Sequence, residues 1–271
     1  MKKILLLSNG FSTSRNTLDY AIYLAKNAKA TLYALMVSSL NPRDEESYLF
    51  PSDINTTDVD FTRETNEEET LKLENAEIEL FEKACRNNNV AFIVSKIRSR
   101  FLDSVIDQSV FADLIICDEK SDERKFSLNS LMANVHCPIV VIPGDASPFN
   151  EIILTFDETS SSMHAIRQFT YLFSSWCHLP AYLVSVIPQN VIGLEYTELL
   201  NEWLQHYYPN ISIEILKGKE KEDLPAFINK HQNAIVIMGS FGRSSLSRLF
   251  KDSLATTILD KTRSVLFIAH D

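Results

Sequence analysis

Strand-like and helix-like segments alternate along the 271 residues, and the same order begins again past the midpoint. Residues 4–7 form a short apolar run without alternation, which suits a parallel strand covered on both faces. A polar turn follows, and Leu18, Ala21, Ile22, Ala25 and Ala28 then fall on one helical stripe. Strand 31–37 leads into an acidic loop and a long helix with Leu73, Ala76, Leu80, Phe81 and Ala84 at helical spacing. Strand 91–97, a helix over 101–110, strand 114–117, a helix over 127–135 and strand 139–142 complete the first set. Turn formers cluster in 143–148, which reads as a linker. The second set has strand 152–156 and a helix striped by Ala165, Ile166, Phe169, Leu172, Phe173 and Trp176. Strand 181–187, a helix striped by Leu199, Leu200, Trp203, Leu204 and Tyr207, and strand 211–216 come next. A helix over 223–230 with Pro225 in its first turn, strand 234–238, a helix over 253–260 and strand 265–268 end the chain. Alternation of this kind predicts an α/β fold of parallel strands joined by right-handed crossovers.

Composition narrows the function classes. Hydrophobic residues make up 45%, and nine prolines and six glycines are too few for a disordered or fibrous chain. No charged start runs into an apolar segment with a cleavage site. No apolar stretch approaches the roughly 20 residues that span a bilayer. The expectation is a cytoplasmic protein with no membrane partner. The net charge of −10 is concentrated: residues 44–82 hold fourteen acidic side chains against Arg63 and Lys72. This run reads as solvated helix and loop, with a docking surface for a basic partner as the alternative. Without a basic stripe, nucleic acid is not an expected partner. Cys85, Cys117, Cys137 and Cys177 lie in apolar stretches without CxxC spacing and read as buried, reduced core residues. The two tryptophans read as core anchors.

One segment carries chemistry. A buried strand, Ile235-Val236-Ile237-Met238, runs into Gly239-Ser240-Phe241-Gly242-Arg243, and nine residues after Gly242 come Asp252 and Ser253 at the start of a helix. Glycines let a backbone approach a phosphate closely. A helix N-terminus offers free N–H groups and the positive end of a dipole. Such a loop suits a nucleotide lying beyond the carboxyl ends of parallel strands. It is not a Walker A loop, because no Lys-Ser or Lys-Thr follows Gly242.

The pattern resembles the ATP motif of universal stress proteins, a Gly-x-x-Gly, nine residues, then Gly-Ser or Gly-Thr. Gly239, Gly242 and Ser253 match and Asp252 departs. Asp157-Glu158-Thr159, then Ser162 and Ala165, looks like the family's Asp-x-Ser-x-x-Ser-x-x-Ala opening. His136-Cys137-Pro138-Ile139-Val140-Val141-Ile142 looks like its Cys-Pro strand ending. The resemblance covers nearly the whole chain as a tandem pair. It implies two doubly wound domains, 1–146 and 149–271, each a five-stranded parallel sheet in the order 3-2-1-4-5 flanked by helices. The halves would pair within one chain as the family's homodimers do, with a further homodimer left open. The function it implies is a stress-response or signalling module with unidentified protein partners, not an enzyme, binding ATP or another adenine nucleotide with Mg2+. By position, Asp157 would sit near the ribose or phosphates, and Thr155 and Val186 would line the adenine slot, Val186 through its backbone. Met238 would contact the nucleoside, while Gly239, Gly242, Arg243 and Ser253 would wrap the phosphates.

The departures matter. A carboxylate about 4 Å from one phosphate charge costs roughly 1 kcal/mol in bulk water and about 4 kcal/mol at an effective dielectric near 20. Asp252 therefore implies a bridging divalent cation, or weak or absent triphosphate binding, or a plain N-cap on the last helix. In the first half the fourth strand ends Cys117-Asp118-Glu119-Lys120, without glycine, and Asn9 stands where the second half has Asp157. That half reads as a scaffold that binds no nucleotide. His136, His164, His178, His206, His231 and His270 are scattered without ligand spacing, and Ser160, Ser161 and Ser162 form no nucleophile elbow. A nucleotide-independent scaffold and a slow ATPase using Asp157 or Asp252 as metal ligand are the competing readings.

Overall fold

The computed structural model describes residues 2–8, 14–37, 57–97, 101–119, 128–194, 197–239 and 254–269; in 57–70 and at 37 and 197 it describes the backbone alone. Asn9, Gly242, Arg243, Asp252, Ser253 and His270 lie outside the described residues. The first set of elements is β1 (Lys2–Ser8), α1 (Arg15–Ala28), β2 (Ala30–Val37), α2 (Thr57–Asn87), β3 (Phe92–Ile97), α3 (Phe101–Ser109), β4 (Leu114–Asp118), α4 (Leu128–Asn134) and β5 (Ile139–Ile142). The second is β6 (Glu151–Thr155), α5 (Ser160–Leu172), β7 (Ala181–Ile187), α6 (Thr197–Tyr207), β8 (Ile211–Lys217), α7 (Glu220–Ile228), β9 (Ala234–Gly239), α8 (Leu254–Lys261) and β10 (Val265–Ala269).

All ten strands join one sheet in the order β3-β2-β1-β4-β5-β10-β9-β6-β7-β8. Every pairing is parallel except β5 with β10, so the predicted 3-2-1-4-5 order runs inward from each edge and the two runs meet at an antiparallel seam. The inner strands are buried along nearly their whole length, as their unbroken apolar runs require. α1, α2, α5 and α6 cover one face of the sheet and α3, α4, α7 and α8 the other.

Around the seam, Val140 faces Phe267, and Leu266 and Ile268 face Val141 and Ile139. In segment 143–148, expected to be a linker, Gly144, Asp145, Ser147 and Pro148 are exposed while Pro143 and Ala146 are buried. Phe149 just beyond it is buried as well, and the Tyr20 hydroxyl donates to the Ser147 carbonyl. Phe149 meets Trp176 edge-on at 4.8 Å, and Tyr23 of α1 stacks on the same indole at 5.2 Å. Lys2 Nζ donates to the Leu172 carbonyl at 2.8 Å, placing a cation on the carboxyl end of α5.

Four local expectations are corrected. Among the described side chains of α2, those of Glu74, Phe81 and Cys85 are buried, with Ile78 packed beside them, whereas Leu73 and Leu80 are exposed and so is Ala76. The helix is rotated about one residue from the predicted stripe, and Lys96 Nζ lies 3.7 Å from the buried Glu74 carboxylate. α5 ends at Leu172, and Trp176 is buried from a separate 3-10 turn, Ser174–Trp176. In α6, Leu200 and Leu204 are buried but Leu199 is 70% exposed. α7 starts at Glu220, so Pro225 lies inside the helix and not in its first turn. Proline removes the bond to the carbonyl four residues back, here Lys221. Lys261 Nζ of α8 donates to that carbonyl at 2.9 Å.

Candidate functional site

In an open parallel sheet the ligand crevice lies outside the carboxyl ends of the strands, where the strand order reverses. In the second half that point falls between β6 and β9, which pair in parallel while their successors leave in opposite directions. Thr155 closes β6 and Met238 and Gly239 close β9, so the topology brings these predicted residues together. They line one crevice with Phe156, Asp157, Ser162, Val184, Val186, Glu220, Leu224 and Leu254. Five of the eight predicted residues thus meet, namely Thr155, Asp157, Val186, Met238 and Gly239. The other three, Gly242, Arg243 and Ser253, fall outside the described residues.

The sequence builds this corner locally. Thr159 caps α5, its hydroxyl accepting from the Ser162 amide at 3.2 Å. Asp157 folds over the same turn: its Oδ1 accepts from the Thr159 amide at 3.1 Å and from the Thr159 hydroxyl at 2.6 Å. Glu158 between them adopts a left-handed φ of 64°. The predicted Ser162 and Ala165 are both buried in α5. Ser162 faces β9, where a Cβ on Gly239 would come within 2.7 to 2.8 Å of the Ser161 and Ser162 backbone. Strand and helix therefore touch backbone to backbone, and glycine is demanded by contact. Thr155 does not offer its hydroxyl to the crevice, because that group donates to the Ile237 carbonyl at 3.0 Å across the sheet.

Sequence reading missed Glu220. It reaches the crevice because α7 begins three residues before its expected start. Burial, reinforced by the nearby Asp157 charge, pushes its carboxyl above the ordinary glutamate range. The crevice so far holds two carboxylates and no cation among its described lining residues. Its cavity volume is about 20 Å3, room for a single water and far below the roughly 300 Å3 at which ligand pockets begin. Phe156 separates it from a larger apolar cavity of about 380 Å3 lined also by Met163, Leu199, Leu200 and Trp203.

The remaining chemistry-bearing residues sit elsewhere. All four cysteines are free and buried. Burial raises each thiol, that of Cys85 to about 11 and that of Cys137 to about 12, which disfavours the thiolate needed for metal binding or redox work. His231 Nδ1 lies 2.8 Å from Glu151 Oε2, and its ring is stacked on Phe227 and tilted against Tyr182. Among the described residues no group of three or more His, Cys, Asp or Glu could hold a metal ion. None of their helices is long and apolar enough to cross a membrane.

No family model matches the chain, and no curated protein matches it in sequence. Solved structures do match in fold. A universal stress protein from Archaeoglobus fulgidus is similar over 99% of this chain and 96% of its own, with a TM-score of 0.69 and 14% identity. A Pseudomonas aeruginosa protein of unknown function is similar over 99% and 92%, with a TM-score of 0.56 and 12% identity. Another from that organism, provisionally named a universal stress protein, is similar over 99% and 92%, with a TM-score of 0.54 and 13% identity. Likeness over both full lengths, with the strand order and the crevice already described, leads to one conclusion: the chain has the fold of the universal stress proteins along its whole length.

Proposed function

We propose that this protein is a tandem universal stress protein, a cytoplasmic stress-response or signalling module whose C-terminal half takes an adenine nucleotide. On this reading residues 1–146 and 149–271 are its two domains, and only the second binds. The observation that carries it is the meeting of Thr155, Asp157, Val186, Met238 and Gly239 in one crevice at the β6/β9 switch point. Gly242, Arg243 and Ser253 would complete the phosphate side, and Mg2+ would offset Asp157, Glu220 and Asp252. Phe156 and the Glu220 side chain must give way for a base to enter, because the crevice is narrow. We assign no catalytic residue, since the Asp157 carboxylate is bonded within its own turn. Calorimetry with ATP, ADP and AMP, with and without magnesium, tests the proposal. It expects heat for at least one nucleotide and loss of that heat in Gly242→Asp. Silence with all three, or an unaltered affinity in the variant, rejects it. Phosphate release that disappears in Asp157→Ala would instead establish an ATPase.

A second reading, a nucleotide-independent scaffold acting through protein–protein contacts, is favoured by the narrowness of the crevice and its two carboxylates. Mass spectrometry of the purified protein separates the two, because a retained adenine nucleotide contradicts the scaffold.

A further inference from the structure

The seam relates the halves residue by residue. Val140 pairs with Phe267 at its centre, so each is the other's counterpart. β5 pairs with β4 through Asp118 opposite Ile142, and β10 pairs with β9 through Gly239 opposite Ala269. Asp118 is therefore the first-half counterpart of Gly239. The helix caps correspond too: Ser14 accepts from the Thr17 amide at 3.0 Å as Thr159 accepts from that of Ser162. Thr17 is accordingly the counterpart of Ser162, a wall of the second-half crevice.

In the first half that wall is joined to the strand by a side chain. The Asp118 carboxylate accepts from the Ser14 hydroxyl at 3.1 Å, from the Ser14 amide at 3.4 Å and from the Thr17 hydroxyl. The strand end and the first turn of α1 are held apart by the width of a carboxylate, and the negative charge sits at the positive end of a 14-residue helix. We propose that Asp118 is a permanent internal occupant of the first-half counterpart of that crevice: its carboxylate satisfies the Ser14 and Thr17 donors and closes the gap between β4 and α1 to a ligand. The second-half crevice has no such side chain across it, because Gly239 stands where the first half has Asp118. This goes beyond the proposed function and holds whether or not the second half takes nucleotide.

The experiment removes the occupant and offers a replacement. Full-length Asp118→Gly exposes the Ser14 and Thr17 donors, and its melting temperature falls by roughly 3–8 °C, as expected when hydrogen bonds to a charged group are lost in a chain of this size. Formate, a free carboxylate of the right size, recovers at least half of that fall in Asp118→Gly. It recovers none when Thr17→Val is added, and moves the unaltered protein by less than about 1 °C. A variant as stable as the original, or a formate shift equal in both, overturns the proposal. If Asp118→Gly does not fold, Asp118→Asn keeps the shape without the charge. The Ser14 and Thr17 amides should then exchange hydrogen about tenfold faster while that of Ser162 is unchanged, and equal exchange in both proteins overturns the proposal equally.

Discussion

β4 and β9 end at equivalent places in the sheet, and each must meet the first turn of a helix. β9 ends in Gly239 and presses bare backbone onto Ser161 and Ser162. β4 ends in Asp118 and reaches α1 through a carboxylate bonded to Ser14 and Thr17. The same architecture therefore tolerates two ways of closing the strand-to-helix gap, and the choice decides whether the corner contains a crevice or a filled contact. The neighbouring strand differs in step. β6 ends in Thr155, whose hydroxyl is tied to β9, while the Ser8 hydroxyl at the end of β1 donates to the Glu77 carboxylate of α2 at 2.6 Å.

The seam is where this comparison can be broken most severely. Phe267 is fully buried and meets Phe169 at 5.4 Å, so Phe267→Ala should cost about 4 kcal/mol by removing a large side chain from a packed core. Its counterpart Val140 loses fewer atoms, and Val140→Ala should cost about half as much. Urea unfolding compares the two, and equal losses would mean that the seam centre is not a symmetric contact. Gly239→Ala drives a Cβ into backbone that cannot swing aside, which should cost about 2–3 kcal/mol in the same assay. A loss below roughly 0.5 kcal/mol would show that strand and helix can separate there, and the contrast with Asp118 would fail.

Smaller effects sharpen it. Thr155→Val should cost about 1 kcal/mol by leaving the Ile237 carbonyl one partner short, although the volume is kept. The matching change Leu7→Val should act through packing alone, because Leu7 has no hydroxyl to lose. The smallest effect concerns Glu220. Its carboxyl is raised by burial and by Asp157, so the folded state holds its proton to higher pH than the unfolded chain does. The stabilising contribution is present below the ordinary glutamate range and is lost as pH rises through the elevated folded value. Glu220→Gln should therefore match the original in acid and melt about 1 °C higher at neutral pH, an effect reduced because the group is half exposed. Equal melting temperatures at neutral pH would remove Glu220 from the crevice's electrostatics.

The inner strands were readable because residues such as Ile152–Leu154 and Ile235–Ile237 are apolar without interruption, and only a strand buried on both faces needs that. The crevice was readable at Asp157, Thr159 and Ser162 from the family resemblance of their spacing, and at Gly239, whose neighbours follow from a strand feeding a helix. α2 was misread by one residue because Leu73 and Leu80 satisfy helical periodicity as well as Glu74, Phe81 and Cys85 do, and only the partner surface chooses between the stripes. The early start of α7 was hidden by Pro225, which signals a first turn until Lys261 is seen taking the freed carbonyl.

Sequence alone determined the alternation of strand and helix, the repeat, and the turns that cap α1 and α5, because each depends on residues within a few positions of one another. Tertiary structure decided the antiparallel seam, the packing of Phe149 on Trp176, the arrival of Glu220 beside Asp157 and the reach of Asp118 to Ser14 and Thr17. Those contacts join residues that lie far apart in the chain, and no local preference encodes which distant partner completes a carboxylate, a carbonyl or a buried ring.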